Sequence, residues 1–473
     1  MPAPHSPGPL FREPASAGGL TAAAGSTRYV YLIAAVAALG GLLFGFDTAI
    51  INGALVFLKK DFHLNDGQTE LAASSILFGA VAGAAAAGWL TDRYGRRRLL
   101  FGAALLFTLS SLAAAVPRTL TEFVLARLVG GLAIGVASLL APLYIAEVAP
   151  APIRGKLVTL NQLAIVTGIL LAYVTSYYLA DLGLAAWRWM FASAALPSAL
   201  FMFALLLVPE SPRWLLGQGR EAEALRTLTR LNGPVAAAAE ATEIHAALAA
   251  ERDEATSLFQ PRLRRPLRIA VVLAVLQQVT GINTILYYGS IIFTEHSGMS
   301  GASAIGANAL IGGINFAGTV VALFVIDKVG RKPLLLLASG GMALALGALV
   351  VALQLHAPGP WLLGLIMLYV ACFAVGLGPG VWVVITEIFP TAVRGRAASV
   401  ATVALWVACT VISFTFLSLV KAAGLSGAFG LYAVLSVLTF VFVWRGVPET
   451  KGRTLEEIER TWQGAGYALK SSS

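Results

Sequence analysis

The stretch "TDRYGRR" (residues 91–97) is a short basic segment between two long apolar runs, and "IDKVGRK" (326–332) repeats its pattern in the second half of the chain. Three further pairs match in the same order: "GFDTAIING" (45–53) with "GINTILYYG" (281–289), "AEVAPAPIRGK" (146–156) with "TEIFPTAVRGR" (386–396), and "PESPR" (209–213) with "PETKGR" (448–453). Ordered matches of this kind indicate two homologous halves. Such halves imply a pseudo-two-fold axis with a site between them.

The composition indicates a membrane protein. Of 473 residues, 58% are hydrophobic and 12% are charged, and the mean hydropathy is +0.80. Soluble domains carry about 25% charged residues, and a soluble chain of this composition would expose large apolar patches. The net charge of +9 does not indicate nucleic-acid binding, because the arginines stand in short clusters between apolar runs. Cys372 and Cys409 lie in apolar runs, so we interpret them as core residues and expect neither a metal site nor a cofactor.

Apolar windows of about 20 residues are long enough to cross the hydrocarbon core as helices. Twelve such windows are predicted: 29–58, 70–90, 98–116, 121–142, 157–180, 187–208, 266–293, 303–326, 334–355, 361–386, 396–420 and 427–445. They predict an all-α membrane protein with two pseudo-symmetric six-helix bundles, residues 29–208 and 266–446. The polar segment 209–265 between them is predicted to be an intracellular helical linker domain. We expect residues 1–28 to be disordered, because they are rich in Pro, Ala, Gly and Ser, and residues 447–473 to form a C-terminal tail.

The charges of the loops predict the orientation. Four loops are strongly basic: 92–98, 153–156, 327–332 and 394–396. The intervening loops around 59–70, 117–122 and 294–302 carry little positive excess. By the positive-inside rule, a multi-pass protein of the cell membrane with both termini in the cytoplasm is expected. No removable signal peptide is predicted before the first span.

Five motifs resemble the sugar porter family of the major facilitator superfamily. They are "GWLTDRYGRRR" (88–98), "PESPRWLL" (209–216), "QQVTGINTILYY" (277–288), "EIFPTAVRGRAAS" (387–399) and "VPETKGRTLEEIE" (447–459). The resemblance covers nearly the whole chain from about residue 29 to residue 460. It implies a carrier for hexoses, pentoses or cyclitols, which some members couple to protons and others move passively.

A neutral sugar requires side chains that both donate and accept hydrogen bonds, together with a flat aromatic surface. Gln and Asn amides meet the first requirement, and a few convergent polar groups in apolar walls form the usual ligand site. The resemblance implies these substrate contacts: Phe44, Gln162, Ile165, Gln277, Gln278, Asn283, Tyr287, Asn315, Phe373, Trp382 and Trp406. The alternative is that a lone amide only joins helices; the adjacent pair Gln277 and Gln278, followed by Asn283, favours sugar binding. Leu405 departs from the family, because several relatives carry an amide there.

Asp47 is a carboxylate inside an apolar run, which is costly by roughly 2.5–3.5 kcal/mol on insertion scales. Its partner in the internal alignment is Asn283, a neutral amide. Arg127 is the nearest candidate cation within a membrane run, and in proton-coupled relatives an aspartate and an arginine at these positions form the proton site. A static buried ion pair is the alternative. We favour proton coupling, because intramembrane charges are usually functional.

Charged residues at the basic loops form a second predicted group, in which glutamates as well as arginines recur in both halves. The resemblance implies that they form salt bridges that close the cytoplasmic face: Asp92, Arg96, Glu147, Arg154, Glu210, Arg213, Asp327, Arg331, Glu387, Arg394, Glu449 and Arg453. The positive-inside rule alone would explain the arginines of these loops, but it would not explain why glutamates recur in both halves. The stretch "GLGPG" (376–380) is interpreted as a hinge before Trp382.

The sequence therefore predicts an importer of a monosaccharide (hexose or pentose) or a cyclitol that uses proton symport and alternating access. The protein is expected to lie in the lipid bilayer as a monomer. A passive uniporter is the main alternative, and Asp47 with Arg127 discriminates against it. A sensor would be expected to carry a long signalling tail. An enzyme would need a nucleophile with its base or clustered metal ligands, and the five histidines show no such spacing. The identity of the sugar is left open.

Overall fold

The computed structural model describes residues 26–150, 153–253, 260–296, 299–389 and 391–451. The regular structure of these ranges is helical. Eighteen α-helices are described: α1 Thr27–Asp61, α2 Asp66–Tyr94, α3 Arg96–Ala115, α4 Leu120–Val148, α5 Arg154–Leu179, α6 Ala186–Ser193, α7 Ala195–Ala204, α8 Pro212–Gly217, α9 Glu221–Asn232, α10 Pro234–Asp253, α11 Pro261–Val279, α12 Ile282–His296, α13 Gly301–Val329, α14 Arg331–Gln354, α15 Gly359–Cys372, α16 Gly378–Glu387, α17 Thr391–Phe414 and α18 Phe416–Gly446.

Twelve membrane crossings account for these helices except α8, α9 and α10. Eleven helical stretches of the described ranges are long and apolar enough to cross a bilayer, and one of them, Leu157–Leu207, has 51 residues. A continuous helix of that length would measure about 75 Å, more than twice the ~30 Å hydrocarbon core. The chain breaks within it at Gly183, whose φ is +71°. The stretch therefore supplies two crossings, α5 and then α6 with α7, which confirms the predicted count.

The sequence repeat is also a repeat of structure. Gly95 and Gly330, in the turns before α3 and α14, have φ values of +90° and +107°. A Cβ atom at either glycine would lie 2.6 Å from a carboxylate oxygen, of Glu210 in the first half and of Glu449 in the second. Each carboxylate accepts hydrogen bonds from the first two backbone amides of the helix after its glycine, where a negative charge is favourable. The two halves thus build the same turn in the same way.

Helices α8, α9 and α10 occupy the predicted linker segment. Their apolar side chains, among them Trp214, Leu228 and Ala237, pack into a cluster of their own. The Trp214 indole donates a 2.9 Å hydrogen bond to the Asp92 carbonyl at the end of α2. These helices therefore lie at the end of the first bundle where α2 ends and α3 begins, which we call the linker end. The far end is the opposite one, where α1 ends at Asp61.

Most helix boundaries differ from the predicted spans by up to several residues. Helix α1 begins at Thr27, where the Ser26 hydroxyl accepts from the Tyr29 amide. Helix α17 ends at Phe414, although the eleventh window was predicted to reach residue 420. Apolar residues continue across this end, so hydropathy does not detect it. The final crossing is preceded by a short helical segment that ends at Gly424, whose φ is +72°.

Candidate functional site

The membrane helix that carries the predicted amides is broken in the middle. Helix α11 ends at Val279 and α12 begins at Ile282, with Gly281 at a φ of +90° between them. A Cβ atom at Gly281 would lie 2.4 Å from the Tyr432 ring, so the position excludes larger residues both by conformation and by space. An unbroken helix would place Gln277 and Asn283 on different faces. Because the helix is broken between Gln277 and Asn283, the two side chains need not lie on different faces.

The three amides form one hydrogen-bonded chain. Asn283 Nδ2 donates to Gln278 Oε1, and Gln278 Nε2 donates to Gln277 Oε1 at 3.2 Å. Gln277 Nε2 donates to the carbonyls of Leu377 (2.9 Å) and Gly378 (3.1 Å). These carbonyls lie where the π-helical segment Phe373–Leu377 meets α16. The chain of amides thus runs from the predicted hinge to the break in the α11–α12 helix.

Cys409 belongs to this group of side chains, although we interpreted it as a core residue. Asn283 Nδ2 lies 3.1 Å from Cys409 Sγ, on α17. With its N–H groups directed at Gln278 and Cys409, Asn283 keeps its carbonyl oxygen as an acceptor. The thiol is therefore both a small core side chain and a hydrogen-bonding partner.

Aromatic side chains lie beside the amides. The rings of Phe44 and Trp406, one from each half, pack edge to face with centroids 5.2 Å apart. The Trp406 indole donates to Ser138 Oγ on α4 at 3.3 Å. Phe44, Trp406 and Tyr287 line a cavity of about 10 Å³ together with Asp47. The cavity has room for one water molecule, and it connects predicted sugar contacts with the predicted proton site.

Asp47 and Arg127 form the predicted ion pair. Arg127 Nη1 lies 2.5 Å from Asp47 Oδ1, and each residue is only 2% exposed. The pair joins α1 to α4 within the first half. Within the described part of the chain, Asp47 Oδ2 and the Nε and Nη2 atoms of Arg127 have no hydrogen-bonding partner. The pair thus rests on one charge-assisted hydrogen bond, weaker than the bidentate arrangement that an arginine can make.

Five other predicted sugar contacts lie on α5, α13, the π-helical segment and α16. Gln162 and Ile165 are half-buried on α5, Asn315 is buried on α13, Phe373 begins the π-helical segment, and Trp382 is half-buried on α16. The Ile165 carbonyl is close enough to α1 to exclude a Cβ atom at Gly45. Among the described residues, no hydrogen bond joins these five side chains to Gln277, Gln278 or Asn283.

The charged residues of the linker end pair inside each half. Arg96 makes two 2.8 Å hydrogen bonds to the Glu147 carboxylate, and Arg331 makes bonds of 3.1 and 2.9 Å to Glu387. Asp92 and Asp327 lie 3.9 and 3.0 Å from the same two arginines. Glu210 and Glu449 cap α3 and α14, as described above. The described ion pairs of this group therefore join helices of one bundle to each other rather than joining the two bundles.

Burial raises the pKa of Glu449, but hydrogen bonds from the backbone amides of Lys451, Arg331 and Lys332 outweigh it. The pKa of the Glu449 carboxyl consequently lies below its ordinary value of 4.5.

Four arginines of the predicted cytoplasmic salt bridges remain to be placed. Arg213 lies in α8. Arg154 and Arg394 lie in the first turns of α5 and α17 with side chains outside the description, and Arg453 lies outside the described residues.

The far end holds contacts between the halves that we did not predict. Asn52 Nδ2 donates to the Leu286 carbonyl at 2.8 Å and to Asn308 Oδ1 at 3.2 Å, and both asparagines are 1% exposed. The buried Glu70 carboxylate accepts from the amide and hydroxyl of Ser418 at 2.6 and 2.7 Å. The sequence did carry a signal for these contacts, because Asn52 and Asn308 are polar side chains in apolar runs, as Gln277 is.

Comparisons with known proteins agree on one family. Residues 33–462 match the family model described as "Sugar (and other) transporter". An arabinose-proton symporter of Bacillus subtilis is 40% identical over 445 residues, 92% of this chain and 96% of its own length. A D-xylose-proton symporter of Escherichia coli is 39% identical over 476 residues, 93% of this chain and 96% of its own length.

Solved structures give the same result. The proton:xylose symporter XylE bound to 6-bromo-6-deoxy-D-glucose has a TM-score of 0.82 and 38% identity, covering 92% of this chain and 99% of that one. A partially occluded, inward-open conformation of the xylose transporter XylE from E. coli has a TM-score of 0.81 and 36% identity, covering 91% and 100%. The chain is therefore a multi-pass membrane protein that belongs to the sugar porter family of the major facilitator superfamily.

Proposed function

We propose that this protein imports a monosaccharide, either a hexose or a pentose, or a cyclitol by proton symport with alternating access. The observation that carries the proposal is the buried Asp47–Arg127 pair, whose carboxylate lines one cavity with Phe44, Tyr287 and Trp406. A proton-binding group and predicted sugar contacts thus share one wall between the halves. The relatives named as arabinose-proton and D-xylose-proton symporters support the same conclusion.

The amide chain is suited to the sugar. Gln278 and Asn283 offer donors and acceptors without a net charge, so a neutral ring of hydroxyl groups binds and leaves again without the desolvation cost of an ion. Gln277 is held by two carbonyls at the junction of the π-helical segment and α16. Movement at that junction would therefore change the position of the amides. Trp406 and Phe44 supply apolar surface for the C–H faces of the ring.

The ion pair is suited to the proton. Protonation of Asp47 removes its charge and with it most of the attraction to Arg127, which stays charged throughout. The freed α1–α4 contact then relaxes beside the cavity that Tyr287 and Trp406 line. Proton binding and the shape of the sugar site are linked in this way, so each ligand changes the affinity for the other.

Alternating access requires contacts that exist in only one state. In this conformation the far end is held closed by Asn52 and by the Glu70–Ser418 contact, which join the two halves. We propose that the linker end faces the cytoplasm of the cell membrane, as the basic loops suggest, and that the far end opens to release these contacts. The ion pairs inside each bundle keep each half rigid while the halves move. The protein acts as a monomeric carrier and not as an enzyme.

Uptake by proteoliposomes tests the proposal. The purified full-length chain is reconstituted, and entry of labelled D-xylose, L-arabinose, D-glucose and myo-inositol is followed with and without an inward proton gradient. We expect accumulation above the external concentration for at least one substrate, and only with the gradient. Equilibration without accumulation would identify a passive uniporter, and absence of uptake for every sugar and cyclitol would contradict the proposal.

A further inference from the structure

The ring of Phe191 lies against the charged group of Arg127. The guanidinium Cζ atom is 5.1 Å from the ring centroid, within the range of a cation–π contact. Phe191 lies in α6 and is 1% exposed, so this contact is shielded from water. The ring also packs edge to face against Phe123, with centroids 5.2 Å apart, and against Trp187, with centroids 6.5 Å apart. Trp187 therefore still packs against the Phe191 ring when Phe123 is changed.

Arg127 has few other partners. Its Nη1 atom donates to Asp47, whereas Nε and Nη2 have no hydrogen-bonding partner among the described residues. Two groups thus stabilise the buried positive charge: the Asp47 carboxylate and the Phe191 ring. When the carboxylate is neutral, the ring alone remains.

Other ionisable groups near the pair are engaged elsewhere or share its cavity. From α12, Tyr287 lines the cavity with Asp47. Other groups on the surrounding helices have partners of their own: Lys59 of α1 with Glu295, Glu70 of α2 with Ser418, Arg96 of α3 with Glu147, Glu122 of α4 with the Arg118 amide, Tyr173 of α5 with the Leu286 carbonyl, Arg188 of α6 with Asp61 and the Trp187 ring, and Cys409 of α17 with Asn283. None of these partners is Arg127.

We propose that Phe191 is a positioning residue of the proton site: its ring holds the Arg127 guanidinium in place while Asp47 is protonated, and so sets the pH range in which the transporter couples. This inference rests on the proposed proton symport and adds a residue to it. Loss of the ring destabilises the state with a neutral Asp47 more than the state with an intact ion pair. Coupled transport then requires a higher proton concentration.

The size of the effect follows from the contact. The ring contacts Arg127 in both protonation states, but the contact is stronger when Asp47 is neutral, because the guanidinium then has no counter-charge. The difference between the two states is a part of a desolvated cation–π contact and corresponds to about 1 pH unit. We therefore expect Phe191→Leu and Phe191→Met to move the half-maximal pH of proton-driven uptake by about 1 unit toward acid. Sugar exchange at equal concentrations on both sides, which needs no net proton movement, should persist.

Matched variants separate this role from simple packing. Phe191→Tyr keeps an aromatic face toward Arg127 and should retain the wild-type pH profile. Phe123→Leu removes a ring from the same cluster without touching the guanidinium, and it should also retain that profile. The measurement is the pH dependence of gradient-driven uptake in proteoliposomes of the full chain, with the best-transported of D-xylose, L-arabinose, D-glucose and myo-inositol as the probe.

The outcomes distinguish the two proposals. If the wild type accumulates the probe but both non-aromatic variants keep its pH profile, Phe191 has no such role and proton symport stands. An equal acid shift in Phe123→Leu would assign the effect to packing and overturn the inference as well. If the wild type accumulates none of the probes, proton symport and the inference fail together. An acid shift confined to Phe191→Leu and Phe191→Met supports the inference.

Discussion

Asn52 of α1 and Asn308 of α13 are hydrogen-bonded to each other across the two halves, with 3.2 Å between Nδ2 and Oδ1. Asn52 Oδ1 also accepts from the Ser290 amide at 2.8 Å, and Asn308 Nδ2 donates to Ser290 Oγ at 3.0 Å. Both side chains are buried, so their amides have no access to bulk water while the far end is closed. In the proposed opening of the far end, the bonds of Asn52 to the second half are exchanged for bonds with water, whereas the Asn308–Ser290 bond lies within the second half.

Asn52→Ala should therefore favour the state that is open at the far end. The change leaves buried partners unsatisfied only in the closed state, at about 1–3 kcal/mol for each such group. Spin labels at Lys60→Cys and Ser303→Cys, both exposed at the far end, should show a larger population of long distances. Thr294→Val is the control, because the Thr294 hydroxyl bonds within its own helix. An unchanged distance distribution in Asn52→Ala would contradict a role in closure.

The two equivalent ion pairs of the linker end should differ in strength. The side chains of Arg96 and Glu147 are 9% and 6% exposed, whereas those of Arg331 and Glu387 are 13% and 31% exposed. Removal of one partner from a buried pair costs about 3–5 kcal/mol, and exposed pairs contribute about 0–1 kcal/mol. Glu147→Gln should thus lower the thermal unfolding midpoint in detergent more than Glu387→Gln. Equal or reversed losses would show that burial does not govern these pairs.

Glu449 should stabilise the fold in a pH-dependent way. Its pKa is lowered in the folded protein, so its contribution is complete above the ordinary value of 4.5 and is lost as the pH falls through the lower folded value. Glu449→Gln should therefore lower the unfolding midpoint at pH 7. The difference from the wild type should shrink below pH 4.5, as measured by intrinsic tryptophan fluorescence. A difference that is constant across this range would contradict a role for the charge.

Asn283→Ala should weaken sugar binding without unfolding the protein. It removes a donor to Gln278 and a free carbonyl acceptor from a half-buried position. Loss of a buried hydrogen-bonding group in a polar site costs about 1–3 kcal/mol, roughly a tenfold to hundredfold rise in apparent KM for exchange. Thr410→Val, which changes an intrahelical bond to the Trp406 carbonyl on α17, is the control. A KM equal to that of the wild type would remove Asn283 from the site.

The crossings were predictable because apolar length alone specifies them. The break at Gly281 was predictable only in part, since a glycine permits a break that neighbouring structure then imposes, here the Tyr432 ring against its backbone. The end of α17 at Phe414 was mispredicted, because the surrounding residues are apolar on both sides of the break. Hydropathy indicates which residues can lie in lipid, but it does not show where one apolar helix ends and the next begins.

The pairing of Asp47 with Arg127 was predictable because a buried charge requires a counter-charge and the spans offered few cations. The contact between Phe191 and Arg127 had no such signal, since phenylalanines are common in membrane helices and only the packing selects one. The contacts of Asn52 with Asn308 and of Asn283 with Cys409 likewise depend on how the helices meet. Sequence indicates which side chains need partners, and the packing decides which partners they find.

In the proposed mechanism Asp47 carries the coupling proton, and Asp47→Asn removes the group that would bind it. In proteoliposomes with an inward proton gradient, this variant should exchange labelled sugar across the membrane but should not accumulate it. Glu122→Gln alters a carboxyl group on α4, the helix of Arg127, whose hydrogen-bonding partner is the Arg118 amide, and this variant should still accumulate sugar. Accumulation by Asp47→Asn at the wild-type level would show that Asp47 does not carry the coupling proton.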